Sequence, residues 1–290
     1  MDMGYSARRT ARRRKLGAEL RALREAASVS IEEAARAIHG ERTKISRQET
    51  GRHRVTRLEL ETLFTLYGAE DEKLRQWLIA LSAEGTGRNW WRQHGDTFTD
   101  DFKEALTLES DAARIAVFQS RVIPGLLQTQ EYATAVIAGS SPELSAQRLN
   151  FHVDIRMSRQ SIFLRGNPPR YTAVMTEGVI RQQIGGPKVL IEQLRHLLTL
   201  GETPDVTIQI IPYSQSEFTS AGGSFVLYSY PDPLDFDVVQ VAYLHGDLYS
   251  EEDETAAKYR KAFERLQASA LSPRKSAELI ASVSHELERE

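Results

Sequence analysis

The sequence predicts an all-α N-terminal domain followed by a mixed α/β (α+β) C-terminal domain. Its 290 residues exceed one typical domain, since domains average about 150 residues. Apolar residues recur at helical spacing through the first part of the chain, whereas short apolar runs suited to strands alternate with helical segments later. We therefore place the two domains at 1–84 and 88–290, with the hinge at Gly85-Thr86-Gly87.

The composition excludes several classes of protein. There is no Cys, so disulfides and thiolate metal sites are impossible and a reducing compartment is expected. The seven His residues show no ligand spacing, and no apolar run approaches the roughly 20 residues that cross a bilayer. We expect a cytoplasmic protein with no metal, no cofactor and no membrane contact.

Charge is distributed unevenly along the chain. Residues 1–67 carry 15 Lys and Arg against 9 Asp and Glu, and the remainder carries 22 against 31. A basic module on an acidic body suits binding to a polyanion, because neutralising phosphates needs local positive charge. Chance clustering is the alternative at this point.

The N-terminal segment has the pattern of successive short helices. One apolar stripe runs along the first helix, and Ser30 with Glu33 forms a capping box for the second, which stops near Gly40. Thr56 with Glu59 caps a fourth helix, and an amphipathic fifth helix closes the bundle. The stripe of the first helix contains Leu16, Leu20, Leu23 and Ala27, and that of the fifth contains Leu74, Trp77, Leu78 and Leu81.

The third helix, over residues 41–50, is polar and basic, with Ile45 as its one clearly apolar residue. It follows a tight turn at His39-Gly40 and ends before Gly51. This spacing is typical of a helix-turn-helix, in which the second helix of the motif enters the major groove of DNA. A solvated surface strut is the alternative reading.

The run LGAELRALREAASVSIEEAARAIHGERTKISRQETGR resembles the XRE family of phage-repressor-like helix-turn-helix regulators. The resemblance implies an ion pair between Arg24 and Glu49. The sequence departs from the family pattern at two positions. Ile31 replaces a phosphate-binding Gln, and Gln48 replaces an apolar residue. The base-reading side chains that it implies are Arg42, Thr43, Lys44 and Arg47.

Other basic residues suit contacts with the DNA backbone, which position a protein without specifying sequence. An N-terminal arm of this kind can also enter the minor groove, although a disordered, solvated charge run is the alternative. The predicted phosphate contacts are Arg8, Arg9, Arg12, Arg13, Arg14, Lys15, Arg52 and Arg54, with His53 beside the last two.

The C-terminal segment mixes helices and strands. Its predicted helices cover 100–113, a stretch after Pro124-Gly125, 141–160, a segment beginning at Pro187, 251–268 and 272–287. Its predicted strands are IAVFQS, 171–176, 206–211, 224–230 and 237–243.

No catalytic motif is found in this segment, and we expect no enzyme activity. The stretch from Gly185 to Lys188 only partly matches a P-loop and fits a loop that starts a helix. His245-Gly246-Asp247 fits a turn after a strand. Trp90 and Trp91 fit core packing better than a ligand pocket.

The body also resembles the C-terminal domain of WhiJ-like regulators, which are abundant in Streptomyces and other actinobacteria. The segments that carry the resemblance are WWR at 90–92, PGLLQTQEYA at 124–133, R-x-x-R-Q at 156–160, EQLRHLL, IIP and GGSF. This resemblance implies an antitoxin-like transcriptional regulator linked to development or secondary metabolism. Such regulators are often encoded beside a small partner protein.

The leading hypothesis is a homodimeric, autoregulatory repressor that binds a short pseudo-palindrome in double-stranded DNA. Its C-terminal domain would then serve dimerisation and the binding of a small-molecule effector or a small protein. The alternative is an antitoxin-like protein that sequesters the product of a neighbouring gene and binds DNA mainly to autoregulate. A third hypothesis, an enzyme with a DNA-targeting head, has no motif to support it.

Overall fold

The computed structural model describes residues 10–83, 100–215, 222–230, 235–243 and 246–289. The predicted hinge, the tryptophan pair and His245 lie outside these residues. The chain divides into two compact units. The first comprises 1–111, 230–238 and 249–251, and the second comprises 112–229, 239–248 and 252–290.

Five helices form the N-terminal part of the first unit. They are α1 (Ala11–Ala26), α2 (Ile31–Ala37), α3 (Arg42–Glu49), α4 (Arg57–Tyr67) and α5 (Glu72–Ser82). Their apolar stripes meet in a core in which Leu20, Ile45 and Leu60 are at most 1% exposed. The helical periodicity of the sequence thus corresponds to a buried face on every helix.

Local capping chemistry fixes the ends of these helices. Ser30 with Glu33, and Thr56 with Glu59, form the two predicted capping boxes. Gly68 ends α4 in the left-handed conformation, which glycine adopts without the steric cost of a Cβ. The turn between α2 and α3 places His39 at φ +52°, so the chain reverses tightly before α3.

The remaining helix of the first unit is α6 (Asp100–Asp111). Its Glu104 accepts a 2.7 Å hydrogen bond from the backbone N–H of Ala11. That N–H belongs to the first turn of α1, where backbone donors have no partner within the helix. A side chain 93 residues later in the sequence therefore anchors the start of α1.

A mixed six-stranded sheet organises the rest of the chain, in the order β3-β2-β1-β4-β5-β6. β1 pairs in parallel with β2, β2 pairs in parallel with β3, and β4 runs antiparallel to β1. The strands are β1 (Arg114–Gln119), β2 (Arg170–Thr176), β3 (Val206–Ile211), β4 (Phe225–Ser229), β5 (Asp237–Tyr243) and β6 (Gly246–Ser250).

Helices connect the parallel strands, as parallel pairing requires. α7 (Gln130–Ser140) and α8 (Ala146–Arg159) lie between β1 and β2, and α9 (Glu177–Arg181) and α10 (Pro187–Leu200) lie between β2 and β3. α11 (Asp253–Ser269) and α12 (Pro273–Glu288) follow the last strand. Phe263 and Leu266 of α11 pack on Phe118, Val174 and Phe225 of the sheet.

One sequence prediction in this region was wrong. The single helix predicted over 141–160 begins at Ala146, because Ser145 rather than Ser141 caps it by accepting from the N–H of Arg148. Of the turn predicted at His245-Gly246-Asp247, His245 lies outside the described residues, and Gly246 and Asp247 begin β6. In the part of the chain that the structure describes, no helix is long and apolar enough to span a membrane.

Candidate nucleic-acid interface

The candidate interface is the outward face of α3. Successive residues of an α-helix are separated by about 100°, which places Arg42, Thr43 and Arg47 on one side. All three are exposed, as are Ser46 and Thr50 on the same side. The opposite side carries Ile45 and Gln48, which are 1% and 2% exposed. A short, polar helix therefore presents a cationic and hydroxyl-bearing face to solvent.

Ser46 and Thr50 were not among the predicted base-reading residues. The Thr50 hydroxyl donates a 2.8 Å hydrogen bond to the carbonyl of Ser46, whereas Ser46 itself lies between Arg42 and Arg47 on the exposed face. Helical spacing measured from Arg42 would have identified Ser46, because the two residues are four apart.

Arg42 is an open cation of this face, with 71% of its side chain exposed. Its Nε lies 3.2 Å from Oε1 of Glu32, which is itself 56% exposed. An ion pair of this exposure contributes at most about 1 kcal/mol. The guanidinium can therefore exchange Glu32 for another acceptor at little cost.

Lys44 lies at the edge of this face. It is about 60° from Arg47 around the helix, because the two residues are three apart, and its ammonium pairs with the Glu59 carboxylate of α4. Only 32% of its side chain is exposed. The charge of Lys44 is therefore directed towards α4, whereas Arg42, Thr43 and Arg47 are exposed.

Gln48 replaces the apolar residue expected at its position and remains buried. Its side-chain amide donates to the carbonyl of Arg54 at 3.2 Å and to the Glu59 carboxylate at 3.0 Å. The amide nitrogen therefore has two acceptors, which offsets part of the cost of burying it, whereas the amide oxygen is buried with no partner among the described residues. Gln48 therefore links α3 to Glu59 of α4, and α3 remains packed although the residue is polar.

Arg24 and Glu49 form a bidentate ion pair between α1 and the end of α3. The two contacts measure 2.5 and 3.1 Å, and both side chains are less than 10% exposed. Arg24 also donates to the carbonyl of Val29 at 3.0 Å. The hydrogen bond to Glu49 raises the pKa of Arg24. Because the Arg24 side chain is buried and bonded to Glu49, it holds α3 against α1.

Arg12, Arg14 and Lys15 lie in the first turns of α1. Arg12 pairs with Asp111 at 3.2 Å and lies over the Tyr230 ring. Arg14 contacts Glu251 at 2.6 Å and Glu104 at 3.3 Å. Phosphate contacts by these side chains would require the intramolecular pairs to break.

Lys15 is 6% exposed and lies 3.5 Å from Glu19 and over the ring of Trp77. Arg13 is half-buried, whereas Arg52, His53 and Arg54 are exposed just beyond α3. Arg8 and Arg9 lie outside the described residues. Among the described residues predicted to contact phosphate, the exposed ones therefore lie just after the C-terminal end of α3.

In the second unit, the structure joins two segments that the sequence analysis singled out. Arg156 donates to the Gln128 side chain at 2.9 Å, and Gln160 donates to the Gln128 carbonyl at 2.6 Å. Gln193 bridges the loop, donating to the Leu127 carbonyl and accepting from the Thr129 N–H, both at 2.7 Å. These residues satisfy buried backbone groups, which gives the motifs a structural role. Across the described residues, no three His, Asp or Glu side chains form a possible metal site.

Comparisons with known proteins match two separate parts of the chain. Residues 15–78 match the model of a helix-turn-helix domain, which indicates a DNA-binding regulator. Residues 102–282 match the family described as a domain of unknown function, DUF5753. Because this match covers more than half of the sequence, the chain belongs to that family. Neither the curated proteins nor the solved structures contain a significant match.

Proposed function

We propose that the chain is a sequence-specific transcriptional regulator of the WhiJ-like type that binds double-stranded DNA through α3. The observation that carries this proposal is the exposed face of α3, where Arg42, Thr43 and Arg47 lie together. An Arg side chain can bond a guanine edge bidentately, and Thr offers a hydroxyl and a methyl group to other bases. In this proposal the chain acts in the cytoplasm by binding and performs no catalysis.

Arg42→Ala combined with Arg47→Ala tests this role on a DNA sequence selected by the wild-type chain. Loss of one bidentate contact costs about 1–3 kcal/mol of base discrimination, so the double variant should lose preference at particular base pairs. Arg274→Ala is a matched control, because this residue of α12 is 90% exposed and outside the helix-turn-helix. An unchanged footprint for the double variant would overturn the assignment of α3.

We further propose that the regulator is a homodimeric repressor of its own promoter. Two-fold symmetry would place two recognition helices about 34 Å apart on a pseudo-palindrome. In this proposal the DUF5753 domain supplies dimerisation and binds a small-molecule effector or a small protein encoded nearby. Sedimentation of the full chain with and without a two-half-site duplex tests the dimer. One monomer per duplex at saturation would contradict it.

A further inference from the structure

Where α3 packs on α4, beside the proposed DNA surface, lies a polar cluster that the proposed function does not use. We call Lys44, Gln48 and Glu59 the Glu59 cluster. The Glu59 carboxylate pairs with the Lys44 ammonium, accepts from the Gln48 amide at 3.0 Å and accepts from the Thr56 N–H at 2.8 Å. One carboxylate thus receives donors from both α3 and the first turn of α4.

The Glu59 cluster is well shielded from solvent. Gln48 is 2% exposed, and 12% of the Glu59 side chain and 32% of the Lys44 side chain are accessible. A shielded charge pair is screened less by salt than an exposed pair is. The pairing of Lys44 with Glu59 should therefore persist under conditions in which the exposed pair of Arg42 with Glu32 exchanges readily.

We propose that Glu59 is a positioning residue for DNA recognition, which holds Lys44 away from DNA and fixes the face of α3 through Gln48. The inference deepens the proposed function and rests on it. A Lys ammonium is a compact charge on a flexible stem, and if released it would bind any nearby phosphate. Such a contact raises affinity for every sequence equally. Pairing with Glu59 therefore lowers the affinity for DNA of any sequence and raises the ratio of specific to non-specific affinity.

Glu59→Gln tests this role with little disturbance of the fold. Gln is also accepted at the third position of a capping box, and its carbonyl can still accept from Gln48. The substitution removes the negative charge and replaces the oxygen that pairs with Lys44 by an NH2 donor. Lys44→Met provides the complementary change, because it removes the cation while keeping most of the stem. Thermal unfolding of each variant reports whether the fold is retained.

The measurement is the affinity for a random-sequence duplex and for the selected sequence at several salt concentrations. Each phosphate neutralised adds about 0.9 to the slope of log affinity against log salt. Glu59→Gln should steepen the slope on the random duplex by about 0.9, which corresponds to about a 3.5-fold greater loss between 50 and 200 mM salt. Its ratio of specific to non-specific affinity should fall. Adding Lys44→Met to Glu59→Gln should restore the wild-type slope.

Lys44→Met in the otherwise wild-type chain should leave the slope unchanged, because Glu59 already neutralises that cation. A slope that falls by about 0.9 in this variant would overturn the inference, since Lys44 would then contact phosphate in the wild type. An unchanged slope for a folded Glu59→Gln variant would overturn it as well. If the wild-type chain selects no sequence from a random pool, the proposed function itself fails, and the inference fails with it.

Discussion

At the scale of single residues, two glycines let α3 lie directly against α1. A Cβ at Gly17 would lie 2.5 Å from the carbonyl oxygens of both Gln48 and Glu49. Gly51 follows α3 at φ +71°, with the backbone of Arg13 and Arg14 about 3 Å from the place of its Cβ. α3 can therefore lie this close to α1 only because Gly17 and Gly51 have no Cβ atom.

Gly17→Ala should destabilise the first unit by about 1–3 kcal/mol, the usual cost of overpacking. The added methyl group would meet backbone oxygens, which cannot rotate away, and this cost outweighs the helix propensity gained from Ala. Gly139→Ala is the matched control, since nothing lies within 4 Å of the place of its Cβ. Urea unfolding of both variants measures the difference. Equal stability of the two would contradict the close packing of α1 on α3.

Arg24→Met should lower the free energy of unfolding by about 3–5 kcal/mol, because it leaves Glu49 as a buried, unpaired charge. Arg21 lies on the same helix and pairs with Glu25, but its side chain is 61% exposed. Arg21→Met should therefore cost much less than Arg24→Met, because solvent screens the exposed pair. Chemical denaturation of the two variants compares a buried pair with an exposed one. Similar losses would show that Arg24 is not buried as described.

At the scale of elements, capping boxes and apolar stripes predicted α1 to α5 from sequence. The side of α3 that faces the core was harder to predict, because Ile45 is its one clearly apolar residue and Gln48 is polar yet buried. Lys44 was consequently grouped with the exposed residues. The partners of Arg14 lie 90 and 237 residues away along the chain, so no local pattern could reveal them.

The contribution of Glu59 to stability should depend on pH. Burial alone raises its pKa, but hydrogen bonds from Lys44 and Thr56 lower it by more, so the net pKa is depressed. An unfolded Glu titrates near pH 4.3. The stabilisation is therefore present above that pH and is lost as pH falls through the lower folded pKa. The difference in unfolding free energy between wild type and Glu59→Gln should shrink on acidification, and a constant difference would contradict this.

The buried glutamines of the second unit should matter for its stability. Gln193→Leu leaves the Thr129 N–H and the Leu127 carbonyl without their side-chain partner, and each such buried group costs about 1–3 kcal/mol. We expect a loss of about 2–5 kcal/mol, measured by thermal or urea unfolding. Gln147→Leu, on an exposed position of α8, should change stability by less than about 0.5 kcal/mol. A neutral Gln193→Leu would argue against a structural role for the loop contacts.

At the scale of the whole molecule, the two kinds of periodicity predicted an α-helical module followed by an α+β body. The order of the strands could not be predicted from the sequence pattern, because parallel pairing joins strands that are separated by long helical connections. β6 was missed because its five residues, all partly or largely exposed, show no alternation. The helix-turn-helix depends on local signals, whereas the topology of the body depends on distant contacts.

The most direct test of the central claim is to sequence the DNA that the purified full chain selects from a random pool at two salt concentrations. The account predicts one symmetric motif at both concentrations, with half-sites about ten base pairs apart. Recovery of unrelated sequences that disappear at the higher salt would contradict it. The basic N-terminal module would then bind DNA only through its charge.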